Sequence, residues 1–367
     1  MNDIFKLILL IICVAMPQLG LAADTRIEND RISTGDGILL SAIWTIPTKQ
    51  DVSFIALIIP GSGNVGTNGD VSSPFVGFGY GGQKANLSEQ LADKLAENGI
   101  GSLRYAKRGF EDPTQLANQT IPYLKSDAEA ALKLIKTKYP KLKILLVGFS
   151  EGATISTMIA AERSDIEYLF LMAPPTRNIS DIIEYQFKTW GEHLAKVELD
   201  KNSDGKIDLE ELRQRPDATL PLVGPGFLPA RPIDLDRNHD GVLSIATEIV
   251  PAYEATHTAA KSLLQQDAFR SWYESMLKVP EFFTLAPKVR ATVFIYEGQK
   301  DPQLNPEWIE LDRKYFLTET HYYKFKDLGH CFAPLDGNID EIKTSGPLDN
   351  AFLTIFGDDL ESLTERN

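Results

Sequence analysis

The twelve residues Lys143-Ile-Leu-Leu-Val-Gly-Phe-Ser-Glu-Gly-Ala-Thr154 limit the possible folds more than any other stretch of the chain. Residues 144–147 form a short apolar run of the kind that makes a fully buried strand. The run passes into Gly148-Phe149-Ser150-Glu151-Gly152, and residues 153–161 then read as a helix. A strand that turns into a helix this abruptly holds its central residue in a strained conformation. The residues two positions away on either side must lack a Cβ, which explains Gly148 and Gly152. The turn lifts the Ser150 hydroxyl clear of the sheet and leaves the Glu151 N–H in the first turn of the helix.

The surrounding pattern is one of alternation. Strands are expected at 54–59, 100–105, 144–147 and 168–172, and helices at 86–97 and 125–138. Residues 23–46 read as a β-hairpin turning at 34–37. Strands that alternate with helices of ten to fifteen residues imply a doubly wound, mostly parallel sheet, an α/β fold. The alternation stops at Thr176. Residues 176–287 contain helical stretches, at 181–199 and 252–278, but no strand suited to a parallel sheet. Alternation resumes with a strand at 292–296, a helix at 306–316, a strand at 321–325 and a helix at 347–356. The organisation expected is thus a leader (1–22), a first core part (23–175), a helical insertion (176–287) and a second core part (288–367).

Residues 1–22 combine Lys6 in a polar start, an apolar run over 7–16 and small residues before Ala22 and Ala23, the pattern of a secretory signal. The apolar run is shorter than the roughly 20 residues a membrane span requires, so no stable membrane anchor is expected. The chain is therefore expected to be exported, to the periplasm or the medium. A net charge of −14 argues against nucleic acid as a partner and suits cations. Cys13 leaves with the leader and Cys331 alone remains, so no intrachain disulfide can form. Cys331 reads as a small buried neighbour of the site. The aromatic–glycine stretch 75–82 is a candidate lining of a pocket.

Ser150 needs a base to take its proton. Of the five histidines, His193 and His257 lie in insertion helices, His239 in a charged loop and His321 in a strand. Only His330, in Lys326-Asp-Leu-Gly-His-Cys331, follows a late strand in a loop. An acid must orient the base, and Asp301, just past the strand at 292–296, is the first choice. Glu297 is the runner-up, and Asp327 is too close to His330 in sequence.

Serine, acid and histidine in that chain order resemble the α/β-hydrolases, in their serine esterase and dienelactone-hydrolase branch. The likeness covers residues 27–175 and 290–360. It implies Ser150, Asp301 and His330 as a catalytic triad, with the N–H groups of Glu151 and Ser62 as the oxyanion hole and Gly63 as a neighbouring candidate. Related chains often begin the loop after the third strand with His-Gly, where this chain has Pro60-Gly61. They often end the fourth strand in Tyr-Asp-x-Arg-Gly, where this chain has Tyr105-Ala-Lys-Arg-Gly109. Arg108 is expected to tie loops together behind the elbow. The resemblance implies cleavage of small-molecule carboxylic esters. A serine peptidase and a non-catalytic calcium-binding protein on the same scaffold are the rival readings.

The insertion carries a second motif. Residues 200–211 match the EF-hand loop, with ligands from Asp200, Asn202, Asp204, the Lys206 carbonyl, Asp208 and the bidentate Glu211, and with Gly205 at the sharp turn. A second loop begins 36 residues later, with Asp236, Asn238, Asp240, Gly241, Val242 and Ser244 at the corresponding places. Its twelfth residue is Thr247, and Glu248 comes one residue late, so altered geometry or weaker binding is expected. Ile207 and Leu243 are expected to bridge the two loops. Structural calcium, held by these two loops in a cap over the site, is the cofactor expectation.

Overall fold

In the computed structural model, residues 24–49, 51–71, 86–214, 220–223, 229–230, 235–333 and 347–365 are described. The leader (1–22) and the stretch 75–82 lie outside these residues. Eight strands form one sheet: β1 (Thr25–Ser33), β2 (Leu39–Pro47), β3 (Phe54–Ile59), β4 (Gly101–Tyr105), β5 (Lys143–Phe149), β6 (Ile166–Met172), β11 (Thr292–Gly298) and β12 (Thr320–Phe325). Their spatial order is β1-β2-β4-β3-β5-β6-β11-β12. β1 and β2 form the expected hairpin, β2 also runs antiparallel to β4, and every later pairing is parallel.

The central strands are apolar along their length because both faces of the sheet are covered. Along β3 the side chains alternate. Ile55, Leu57 and Ile59 enter one core with α2 (Ile121–Lys138) and α3 (Glu151–Glu162). Phe54, Ala56 and Ile58 enter the other with α1 (Leu87–Glu97) and α11 (Asn350–Glu365). On that second face Phe170 stacks on Phe294 at 4.6 Å, and Phe356 packs edge-on to both Phe170 and Tyr296. Each such buried ring contributes about 1.5–3 kcal/mol, enough to seat the last helix firmly.

Several boundaries differ from those expected. α2 begins at Ile121 rather than residue 125, because Pro122 is tolerated in a first turn whose N–H groups have no helical partner. α11 begins at Asn350 rather than 347, where the Asp349 side chain accepts from Ala351 N at 2.7 Å and caps the helix.

The insertion is helical, with short strands. α4 (Ile179–Glu184) and α5 (Trp190–Leu194) are joined and extended by wide π turns at Tyr185–Thr189 and Ala195–Leu199. β7 (Lys206–Ile207) and α6 (Leu209–Gln214) follow, then β8 (Leu220–Val223) paired with β9 (Pro229–Ala230), and β10 (Leu243–Ser244). The single helix expected over 252–278 is two helices, α7 (Val250–Leu264) and α8 (Asp267–Met276), with the chain turning at Gln265 and Gln266. α9 (Phe282–Leu285) leads back to the sheet, and α10 (Pro306–Asp312) connects β11 to β12. The insertion has a small apolar core of its own, in which Leu194, Leu199, Ile207, Leu243, Ile249 and Tyr253 are buried together.

Candidate active site

The site lies at the C-terminal ends of the parallel strands. β5 ends at Phe149 and Ser150 takes φ 52°, ψ −117°, a conformation that strains any residue with a side chain. The turn is held by Ser150 N donating to Met172 O at 2.9 Å and Ala153 N donating to Ser150 O at 2.8 Å. A Cβ on Gly148 would stand 2.5 Å from Gly152 O, and one on Gly152 would stand 2.1 Å from Ile59 O. Neither position has room for any residue but glycine, as the sequence implied.

Asp301 and His330 come from the loops after β11 and β12, the last two strands of the sheet. Backbone bonds from Gln299 N to Phe325 O and from Lys300 N to Leu328 O hold those loops side by side. His330 Nδ1 is 2.7 Å from Asp301 Oδ2, and both side chains are 0% exposed. The other oxygen, Asp301 Oδ1, accepts from Gln303 N at 2.7 Å and Leu304 N at 2.9 Å. The carboxylate is therefore fixed in orientation, and it fixes the ring in turn. Phe149 packs against the imidazole with ring centroids 5.1 Å apart.

Ser150 and His330 line one cavity of about 150 Å³, and none of the other four histidines does. Ser62, Gly63 and Glu151 line it too, which brings the two predicted oxyanion donors to the serine. The remaining wall is largely apolar and comes mostly from the insertion: Ile179, Ile182, Phe187, Leu264, Phe269 and Trp272 are among its residues, with Leu116 and Leu304 from the core. The insertion also bonds to the core beside the chemistry. Tyr185 Oη donates to the Asp301 carbonyl at 3.1 Å, and Trp272 Nε1 donates to Glu151 Oε2 at 2.6 Å.

The rival acids have other surroundings. Burial, reinforced by the nearby Asp301 charge, pushes the Glu297 carboxyl well above the usual carboxylate range. Asp327 is paired with Lys300 at 3.0 Å near the surface, and that hydrogen bond holds its carboxyl below the usual range. Cys331 is buried in the sheet-face core. Arg108 is fully buried, bonded to Asp127 at 2.8 Å and to Asp36 at 2.9 Å, so it joins α2 to the β1–β2 turn.

One contact went unseen in the sequence. Lys107 is buried, and its Nζ lies 2.6 Å from Glu151 Oε1 and 3.1 Å from the Gly61 carbonyl. A lysine in the loop after β4 reads as solvent-exposed by default, and nothing near it in sequence announces partners at 61 and 151.

The two acidic loops of the insertion lie side by side, with Ile207 opposite Leu243 and Lys206 opposite Ser244. In the first, Asp200 Oδ2 accepts from Gly205 N, and Glu211 accepts from Lys201 N at 2.9 Å and Asp208 N at 3.0 Å. In the second, Asp236 Oδ2 accepts from Gly241 N, and Glu248 accepts from Arg237 N and Ser244 N, both at 2.9 Å. Asn202 and Asn238 accept from the N–H groups of Asp204 and Asp240 in the same way. Glu248 therefore occupies the same place in its loop as Glu211, although it comes one residue later. A π turn over Ile245–Ile249 absorbs the extra residue. The altered geometry expected of the second loop is thus confined to its helix. Among the described residues no three His, Cys, Asp or Glu side chains converge closely enough to hold a metal ion as they stand. The side-chain donors of both loops are all oxygens, which suits a hard cation such as calcium.

The model of the Hydrolase_4 family, described as serine aminopeptidase, S33, matches residues 79–309, well over half the chain. The chain belongs to this family. Its sheet, its elbow and the order of its strands are those of an α/β-hydrolase. Esterase EstD of Thermotoga maritima is 31% identical over 133 residues, which are 35% of this chain. The match covers 31% of that relative, so the chain spans about a third of its length. A Staphylococcus aureus protein of unknown function shares the fold, with a TM-score of 0.51 and 14% identity over 92% of this chain and 98% of the other. A Pyrococcus furiosus esterase superposes with a TM-score of 0.48 and 14% identity, over 93% and 91% of the two chains. Among the described residues no helix is long and apolar enough to cross a membrane.

Proposed function

We propose that this chain is an exported serine hydrolase that cleaves carboxylic esters of apolar acids through an acyl-enzyme. The observation that carries the proposal is the buried 2.7 Å contact between His330 and Asp301, beside a cavity that His330 and Ser150 both line. His330 takes the Ser150 proton as the hydroxyl attacks the ester carbonyl, and Asp301 keeps the imidazole in the required tautomer and orientation. The N–H groups of Glu151 and Ser62 receive the oxyanion, a contribution of about 3–4 kcal/mol per donor. His330 returns the proton to the leaving alcohol. It then activates a water molecule, which releases the acid and frees Ser150.

The apolar wall supports an ester of an uncharged acid. A cavity of about 150 Å³ has room for on the order of ten non-hydrogen atoms. The family description favours a second reading, an aminopeptidase, which must neutralise the α-ammonium of its substrate. The one carboxylate among the described lining residues is Glu151, and both its oxygens are engaged, by Lys107 and Trp272. The ester reading is therefore preferred.

The insertion acts as a cap over the site, and we assign calcium to its two loops in a structural role. Asp200, Asn202, Asp204, Asp208, Glu211 and the Lys206 carbonyl would hold one ion. Asp236, Asn238, Asp240, Ser244, Glu248 and the Val242 carbonyl would hold the other. An ion there would cross-link its loop and supply nothing to the reaction. The leader-like residues 1–22 support export, where calcium is abundant.

A fluorophosphonate probe should label the wild type and not Ser150→Ala, and aryl esters of short to medium acyl chains should turn over faster than aminoacyl anilides. Labelling that survives the substitution would remove Ser150 from the mechanism. Faster anilide turnover would restore the peptidase reading.

A further inference from the structure

Lys107 follows Ala106 just beyond β4 and is 4% exposed. Its ammonium donates to two groups, the carbonyl of Gly61 and a carboxylate oxygen of Glu151. The Gly61 carbonyl and the Ser62 N–H belong to one planar peptide unit, so a hold on the oxygen sets the direction of the N–H at the opposite edge. A cation on that oxygen also polarises the unit and strengthens the N–H as a donor. Glu151 is the first residue of α3, and its own N–H is the other predicted donor. A single side chain therefore touches both residues on whose N–H groups the oxyanion would rest.

Stability alone does not account for this arrangement. Desolvating an ammonium and a carboxylate costs several kcal/mol per ion, and a well-packed apolar pair in the same space is often as stable or more so. The second oxygen of Glu151 accepts from Trp272 on α8 of the insertion, so the charged pair also meets the wall of the cavity.

We propose that Lys107 is a positioning residue of the oxyanion hole: it aims the Ser62 N–H through the Gly61 carbonyl and anchors the first turn of α3 through Glu151. The inference rests on the serine-hydrolase reading and names a determinant of that same site. Its function is to hold two donors where negative charge develops, so its loss weakens the transition state more than the bound ester.

The test compares wild type, Lys107→Met, Lys107→Met/Glu151→Gln and Ser150→Ala. It measures p-nitrophenyl butyrate turnover and inhibition by an alkyl boronic acid, which forms a tetrahedral anion on the serine. Lys107→Met should lower kcat by about ten- to a hundredfold, with KM within about twofold, since deletion of a donor itself costs about 10²–10³. Boronate affinity should fall by the same factor as kcat/KM. The double variant leaves no buried charge to disrupt folding and should remain equally impaired. Recovery of wild-type kcat in the double variant would overturn the inference, because Lys107 would then only neutralise Glu151. Unchanged kcat in Lys107→Met would overturn it too. If Ser150→Ala still turns over the ester, the serine-hydrolase reading fails first, which separates the two failures.

Discussion

The sheet and the insertion solve different problems with the same chain. The sheet is built from apolar runs buried on both faces, and its loops hold Ser150, Asp301 and His330 by short backbone hydrogen bonds. The insertion has a small core, and much of its order comes from polar side chains bonded to their own loop amides. In the first region burial fixes the chemistry. In the second, carboxylates fix the shape of the loops that carry them. Substitutions in the sheet loops should therefore change turnover and spare stability, whereas substitutions in the acidic loops should do the reverse.

The largest effects test the first half of that contrast. Ser150→Ala should abolish ester turnover. Asp301→Asn, which removes the tautomer control, should cost about 10⁴-fold in kcat. Melting temperatures of both should stay close to that of the wild type, and a large fall would mean that these side chains also hold the fold.

The acidic loops come next. Calcium at a hundredfold excess over Kd should stabilise the native state by about 2.7 kcal/mol per site, seen as a melting shift of several degrees that chelation reverses. Glu211→Gln and Glu248→Gln should each remove part of that shift, by similar amounts, with kcat little changed. Unequal losses would show that the extra residue before Glu248 matters after all. No shift in the wild type would remove calcium from the account.

Glu297 is an exception that sharpens the comparison, a buried core residue beside Asp301 that should affect stability alone. Burial raises its carboxyl in the native state, while the unfolded chain ionises near the ordinary value. Between those two values the native state binds the extra proton, so stability falls as pH rises through that window. Glu297→Gln should therefore melt above the wild type at pH 8, with the gap closing toward pH 4. Equal melting curves at both pH values would show that Glu297 is ionised in the native protein.

The smallest effect is expected where the regions meet. Trp272→Phe keeps the ring and deletes the N–H that reaches Glu151. The loss of one hydrogen bond of about 1 kcal/mol corresponds to about a fivefold drop in kcat/KM.

How much of this the sequence disclosed depended on how local each signal was. The elbow is a contiguous pentapeptide between an apolar run and a helix, and its two glycines follow from sterics alone. Asp301 and His330 could be singled out because each follows a strand that the apolar pattern reveals. Helix ends were less legible: the start of α2 depends on tolerance of Pro122, and that of α11 on a cap from Asp349. The contact of Lys107 with residues 61 and 151, and that of Glu151 with Trp272, join segments far apart in the chain. Hydrophobic periodicity carries no record of such pairs.

The π turn at Ile245–Ile249 bears on how such loops are found at all. A search pattern that demands an acid at the twelfth position discards residues 236–248. Yet one widened helical turn brings the thirteenth residue round to the same two amides. The helix thus serves as a spacer of adjustable length, and a pattern that accepts an acid one place late would recover loops of this shape from sequences where they now pass as decayed.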